Sequence, residues 1–127
     1  MQEKVIVAVD AMGGDNAPAE IVKGVVDAVS QSENVIVKLV GQENVVSEEL
    51  KKYTYRESAI EIVNATEVIE TGEPPVMAIR RKKDSSIVVG LNLVKKGEAD
   101  AFVSAGSSGA ILVGGQLIVG RIRGVDR

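Results

Sequence analysis

The distribution of apolar and polar positions divides the chain into alternating strand-like and helix-like segments. Between the strand-like runs, apolar residues recur at helical spacing, most clearly from Pro18 to about Gln31, where Ile21, Val25 and Val29 fall four apart. Four runs rich in β-branched residues have the composition of buried strands: Lys4–Val9, Asn34–Gly41, Ala59–Ala65 and Ala99–Ala105. Further helices are predicted at Glu43–Tyr53, Val76–Lys83, Ser85–Lys96 and from about Ser108 to Ile122.

Capping signals support two of these helices. Pro18 suits the first turn of the first helix, with Asn16 or Ala17 as its cap. The Ser85–Lys96 helix has candidate residues at both ends: Asp84, Ser85 or Ser86 as the N-cap, and Lys95, Lys96 and Gly97 at its end.

Strands that alternate with helices predict an α/β fold, in which a doubly wound, mostly parallel sheet is covered by helices on both faces. Binding loops are then expected at the carboxyl ends of the strands. The last helix contains four glycines, each of which costs about 1 kcal/mol relative to Ala, so it should form only when packed closely. The chain stops at "GRIRGVDR" without a closing element, which favours a fragment of a larger fold.

Composition limits the classes of function. The 127 residues allow one domain, and a single Phe with two Tyr leaves a core of Val, Ile, Leu and Ala. A net charge of −3 argues against bulk nucleic-acid binding. With no Cys and no His, the chain has no disulfide, thiol nucleophile or imidazole base.

Nothing in the hydropathy indicates export or membrane insertion. The start "MQEKVIVAV" lacks the basic region and long apolar run of a signal peptide. The apolar run Ala110–Gly120 contains Gln116 and is too short to span a bilayer. We therefore expect a soluble cytoplasmic protein.

The first candidate site is the turn "DAMGGDNAP", which follows the first strand. Asp10 and Asp15 bracket Gly13 and Gly14, although two carboxylates should repel the anion that such glycine turns often bind. One interpretation is a tight turn in which Asp15 or Asn16 caps the helix. The other is a functional acidic turn, and the pattern leaves both open.

The second candidate site is the turn "SAGSSGA", which follows the fourth strand. Its hydroxyl groups and the backbone N–H groups of a helix start suit an anion, although a Ser-capped helix with closely packed glycines explains the pattern equally well. The residues concerned are Ser104, Gly106, Ser107, Ser108 and Gly109. Neither turn matches a P-loop or a dinucleotide fingerprint. "GSSG" matches the GxxG of RNA-binding KH loops only by chance, because it follows a strand and has no basic residue between its glycines.

The third candidate is the segment "RRKKDSS", at the head of the fourth predicted helix. It is typical of a solvated charged surface. Alternatively, it is a cationic patch in which Arg80, Lys82 or Lys83 balances a phosphate and Ser85 and Ser86 donate hydrogen bonds.

Three motifs in this order, "VDAMGGDNAPAEIVKG", "RRKKDSSI" and "GEADAFVSAGSSGAIL", closely resemble the bacterial phosphate acyltransferases of the PlsX type. The resemblance runs from Lys4 to Arg127, and "GVDR" also looks like family sequence, but family members are considerably longer. The chain would thus be the N-terminal part of the family fold, which is similar to that of isocitrate and isopropylmalate dehydrogenases. One departure is that the family usually has Asn-Thr where this chain has Ser107 and Ser108.

The resemblance implies transfer of a fatty acyl group from acyl-acyl-carrier-protein to inorganic phosphate, which gives acyl phosphate for phospholipid synthesis, without a cofactor or a metal. It also implies a full-length enzyme that is dimeric and peripherally membrane-associated. Phosphate is then the nucleophile, so the lack of Cys and His is no obstacle. The alternative is a half-domain or interaction fragment with no turnover by itself. A dehydrogenase of the related fold is disfavoured because no metal-binding aspartate cluster or nicotinamide site is recognisable.

These expectations suggest a role for the acidic turn. Phosphate near neutral pH carries protons, and a carboxylate accepts a hydrogen bond from one. We therefore hypothesise that Asp10 or Asp15 orients phosphate or takes its proton, while Asn16 donates to a phosphate oxygen. Contacts to the anion or to the oxyanion would come from the glycines of the first turn and from the second turn: Gly13, Gly14, Ser104, Gly106, Ser107, Ser108 and Gly109.

Overall fold

A computed structural model describes residues 4–120 and contains one sheet of four parallel strands. The strands are β1 (Val5–Asp10), β2 (Val35–Gly41), β3 (Ile60–Asn64) and β4 (Ala101–Val103), in the spatial order β3-β2-β1-β4. The sequence therefore predicted all four strands and their parallel arrangement correctly. The third and fourth strands are shorter than the patterns suggested, since β4 pairs with β1 over only three residues.

The helices are α1 (Ala19–Gln31), α2 (Glu43–Leu50), α3 (Pro75–Arg81), α4 (Ser86–Lys95) and α5 (Ser108–Gly114). A 3₁₀ turn at Glu57–Ala59 precedes β3, and a π-helical turn at Gly115–Val119 follows α5. The predicted final helix is not α-helical throughout: it changes from α-helical to π-helical hydrogen bonding at Gly115, although Gly114 and Gly115 both keep right-handed helical dihedral angles. Its predicted end at Ile122 lies outside the described residues.

The helix starts confirm one of the two capping predictions. Ser85 is the N-cap of α4, and its hydroxyl accepts a hydrogen bond from the Val88 N–H at 3.2 Å. By contrast, α1 begins directly after Pro18 and has no side-chain cap, so the prediction of Asn16 or Ala17 as cap was wrong. The Asn16 carbonyl instead accepts from the Glu20 N–H, because the turn before α1 already places main-chain groups in helical register.

Alternate residues of the strands point to opposite faces of the sheet and into two separate cores. Val37 and Leu39 pack with α1 and α2 on one face. Ala8 and Val40 pack with Leu93 of α4 on the other. A third apolar cluster joins α3, α4 and α5 on the α4 face. Helices therefore cover both faces, as the alternation of elements predicted.

The connections reverse direction at β1. The chain runs outward from β1 through α1, β2 and α2 to β3, and then returns across the sheet so that β4 pairs with the free edge of β1. In open α/β sheets, ligands bind outside the carboxyl ends of the strands at such a topological switch point. The turns that follow β1 and β4 occupy this position.

Candidate active site

A hydrogen bond joins the two turns at the switch point. The Ser104 hydroxyl donates to Asp10 Oδ2 at 2.7 Å. The register of the strands explains this contact, because Val9 pairs with Val103 and the next residue of each strand points to the same face. Asp10 and Ser104 are therefore neighbours across the sheet although 94 positions separate them.

Asp10 is a buried carboxylate whose two oxygens are both used inside the protein. Its side chain is 2% exposed, and Oδ1 accepts from the Met12 N–H at 2.9 Å. Ser104 in turn accepts from the Gly106 N–H at 3.0 Å. A buried polar group costs free energy unless it is hydrogen-bonded, and this chain of bonds satisfies each member. The carboxylate therefore ties both turns together.

Glycines allow the two turns to approach each other closely. A Cβ on Gly13 would lie 2.6 Å from Asp10 Oδ2 and 2.8 Å from the Gly106 nitrogen, which is closer than real side chains come. Gly14 has φ of +95°, a left-handed conformation that glycine adopts without strain, and it lies against Ala105. The two predicted turns thus form one packed structure.

The amides of the second turn divide into bonded and available groups. Gly106 N–H is bonded to Ser104, and Ser107 Oγ accepts from the Ala110 N–H at 3.2 Å as the cap of α5. Within residues 4–120, the N–H groups of Ser107, Ser108 and Gly109 have no hydrogen-bond partner. Ser107 is buried and Ser108 is exposed. The available donors are therefore three consecutive amides.

The other two residues singled out in the first turn lie at the surface. Asp15 and Asn16 are exposed, and neither side chain forms a hydrogen bond with another residue in the part of the chain that the structure describes. Because α1 has no side-chain cap, the interpretation that Asp15 serves only as a helix cap loses its basis.

The basic segment before α4 is largely engaged in structural contacts. Lys82 Nζ forms a 2.7 Å ion pair with Glu73 and donates to the Val68 carbonyl at the same distance. The hydrogen bond from Lys82 lowers the pKa of the Glu73 carboxyl below its ordinary value. Arg80 and Lys83 are exposed. Of the three predicted cations, only these two remain at the surface.

Ser85 and Ser86 lie inside the protein, at 0% and 1% exposure. Ser85 is occupied as the cap of α4, whereas Ser86 Oγ has no hydrogen-bond partner within the described residues. No hydrogen bond or ion pair among residues 4–120 joins this segment to the two turns. Hydrogen bonds thus join the first two candidate sites to each other but not to the third.

Sequence reasoning missed the contact that holds the basic segment in place. Asp84 Oδ2 accepts from both the N–H and the hydroxyl of Thr66, at 3.0 and 2.6 Å, and these bonds lower the pKa of Asp84. Glu67 forms a parallel bridge with Ser85 beside this pair. The partners are 18 positions apart, and no spacing pattern in the sequence links them.

The fold and the site define an α/β protein with a parallel sheet, whose two polar, glycine-containing turns meet at the switch point. The family model described as "Fatty acid synthesis protein" matches residues 5–127, and the chain belongs to this family.

The chain is also similar to several proteins named phosphate acyltransferase. It is 53% identical over 122 residues to the one from Clostridium acetobutylicum and 54% identical over 121 residues to one from Clostridium botulinum. The match to the one from Clostridium tetani is 50% over 121 residues. These matches cover 95–96% of this chain but only 36–37% of each relative. The chain therefore spans little more than a third of the length of these relatives.

No helix among residues 4–120 has the length and apolar character needed to cross a membrane.

Proposed function

We propose that this chain forms part of the active site of a phosphate acyltransferase, which transfers a fatty acyl group from acyl-acyl-carrier-protein to inorganic phosphate. One observation carries the proposal: the Asp10–Ser104 hydrogen bond joins two polar turns at the switch point of a chain about half identical to phosphate acyltransferases. The three consecutive amides of Ser107, Ser108 and Gly109 support it as anion donors.

The chemistry requires positioning rather than a protein nucleophile. A phosphate oxygen attacks the thioester carbonyl carbon, a tetrahedral oxyanion forms, and the carbon–sulfur bond breaks to release the carrier thiolate and acyl phosphate. The protein must hold phosphate beside the carbonyl and stabilise the oxyanion. The amides of the second turn and the exposed Ser108 hydroxyl would do so, with Arg80 and Lys83 adding positive charge.

The two aspartates take different roles in this proposal. Asp10 is buried and both of its oxygens already accept hydrogen bonds, so it positions the turn through Ser104. Asp15 is exposed, so it is the carboxylate that would accept the phosphate proton, with Asn16 donating to a phosphate oxygen. The acidic turn would then favour protonated phosphate over its more highly charged form.

The test is acyl phosphate formation from acyl-acyl-carrier-protein and phosphate, measured with the protein from its complete reading frame. Asp15→Asn should lower kcat by about 100-fold, the usual contribution of general base catalysis. Glu20→Gln, which removes a neighbouring exposed carboxylate, is the matched control and should leave kcat unchanged. Wild-type protein without turnover would overturn the proposal, whereas unchanged turnover in Asp15→Asn would remove only the proton-handling role.

The length comparison favours a second candidate, in which residues 1–127 alone are a half-domain or interaction fragment without turnover. This chain spans little more than a third of its relatives, and a site between two lobes needs both. Assaying the 127-residue chain beside the complete reading frame separates the two, because a short chain as active as the long one would exclude the fragment hypothesis. Dimerisation and peripheral membrane association belong to the same proposal for the longer protein and are measured by sedimentation and vesicle binding.

A further inference from the structure

An apolar groove lies beside α5 and the π-helical turn that follows it. It has a volume of about 450 Å³, within the range of small-molecule pockets. Its lining contains no charged residue and one polar side chain, Gln116. The wall residues come from α4, β4, α5 and the π-helical turn: Leu91, Val94, Phe102, Ile111, Leu112 and Val119.

Residues that line the groove and the serines of the second turn lie on one face of the last helical segment, which is called the α5 stripe here. Residues four apart share a helix face, so Ser107 and Ser108 are followed on that face by Ile111 and Leu112, and then by Gly115. The Ile111 N–H donates to the Ser107 carbonyl at 3.0 Å, which makes the serines the first turn of this stripe. The polar end of the stripe thus lies at the proposed phosphate site, and its apolar continuation forms the groove.

Glycines keep the groove open. A Cβ on Gly115 would meet nothing within 4 Å, so this position leaves space where most residues would place a side chain. A Cβ on Gly90 would overlap the Phe102 ring, so that glycine lets the ring lie against α4. The π-helical turn, a form often found at functional sites, spans Gly115–Val119 at the far end.

We propose that this groove binds the acyl chain of the thioester, with the reacting carbonyl at the serine turn and the hydrocarbon along α5. The inference rests on the proposed function, and the relatives' name supplies the acyl chemistry. At 1.5 Å per residue, the distance from Ser108 to Val119 is about 16 Å. An extended alkyl chain advances ~1.3 Å per carbon, given its C–C bond length. The groove therefore takes about a dozen carbons.

Filling the groove halfway should shorten the acyl chain that the enzyme accepts. Gly115→Leu adds a side chain in open space, so it should fold, and it blocks the groove beyond the reach of a six-carbon chain. We expect kcat/KM for a twelve-carbon donor to fall at least about tenfold relative to a six-carbon donor on the same carrier. The KM for phosphate should not change. Val119→Asp, at the far end, is the second variant and should act in the same direction.

Leu117→Asp is the matched control, because Leu117 is exposed on the same turn but does not line the groove. It should leave the chain-length profile unchanged. Binding of the fluorescent fatty acid cis-parinaric acid gives a readout that needs no turnover. Wild type and Leu117→Asp should bind the probe, whereas Gly115→Leu and Val119→Asp should bind it at least about tenfold more weakly.

The results distinguish failure of this inference from failure of the proposed function. Turnover with an unaltered chain-length profile in both groove variants would overturn the inference alone, and would indicate that another part of the protein or a second copy covers the groove. If the wild type shows no turnover with any donor, the proposed function fails. Binding of the fatty acid probe then tests whether the groove holds an acyl chain. Equal binding of the probe by the wild type and all three variants would overturn the proposal that the groove binds an acyl chain.

Discussion

The hydroxyl of Ser104 donates to the carboxylate of Asp10 at 2.7 Å, and this bond ties the carboxyl end of β4 to that of β1. Because Asp10 is buried and also accepts from the Met12 N–H, the bond organises two turns rather than one. An acidic residue at the start of a glycine turn is therefore compatible with an anion site, since both carboxylate oxygens of Asp10 face hydrogen-bond donors inside the protein.

A double-mutant cycle should show that Asp10 and Ser104 stabilise the fold as a unit. Asp10→Asn should lower the free energy of unfolding by about 1–3 kcal/mol, because a buried donor loses its acceptor. Ser104→Ala should cost less, and the double variant should show a coupling energy of about 0.5–3 kcal/mol. Urea unfolding measures all three. Strictly additive losses would contradict the bond's structural role.

A methyl group at Gly13 should separate the two turns. Gly13→Ala would place Cβ 2.6 Å from Asp10 Oδ2 and 2.9 Å from Ser104 Oγ, so we expect a loss of about 1–3 kcal/mol in unfolding free energy and reduced turnover. Gly24→Ala is the control, because its Cβ would meet nothing within 4 Å in the middle of α1. That variant should gain about 0.5–1 kcal/mol. Equal effects of the two changes would show that the turns are not closely packed.

The Thr66–Asp84 contact should make stability depend on pH in the acid range. The two hydrogen bonds from Thr66 hold the pKa of Asp84 below its ordinary value of 3.8. A carboxyl whose folded pKa is lowered stabilises the protein above its unfolded pKa, and this contribution is lost as the pH falls through the folded pKa.

Thr66→Val, which removes the hydroxyl donor, should therefore lower the free energy of unfolding at pH 7, by less than about 1 kcal/mol because the pair is exposed. The difference from wild type should shrink below pH 3.8. Chemical denaturation at several pH values measures it. Thr54→Val serves as the control, since the Thr54 hydroxyl has no hydrogen-bond partner within residues 4–120. If the stability difference between Thr66→Val and the wild type persists unchanged in acid, it arises from packing of the Thr66 side chain and not from the bond to Asp84.

Neighbouring lysines of the basic segment should behave differently. Lys82→Met breaks the ion pair with Glu73 and the bond to the Val68 carbonyl, so its denaturation midpoint should fall. Lys83→Met removes an exposed charge, so it should leave the midpoint near that of wild type but raise the KM for phosphate. Thermal unfolding and phosphate titration measure these effects. A larger stability loss in Lys83→Met than in Lys82→Met would contradict the assignment.

Most of the fold was predictable because local patterns carry it. The β-branched runs before Asp10 and Gly41 form strands, and Ser85, one of the three predicted candidates, caps α4. Two predictions about helix ends failed. Asn16 is a residue type that often caps helices, but Pro18 precedes the first residue of α1 and no side chain caps this helix. The last helical segment changes from α-helical to π-helical hydrogen bonding at Gly115.

The sequence alone determined the parallel α/β architecture, the three polar segments and the resemblance to acyltransferases, because hydrophobic periodicity and short motifs are local properties of the chain. Only the tertiary structure decided which polar groups meet. Strand register places Asp10 beside Ser104, whereas Lys82 is paired with Glu73 and Ser85 and Ser86 are buried. The physical reason is that contacts between residues far apart in sequence depend on how strands align and helices pack, and neither can be derived from the spacing of residues along one segment.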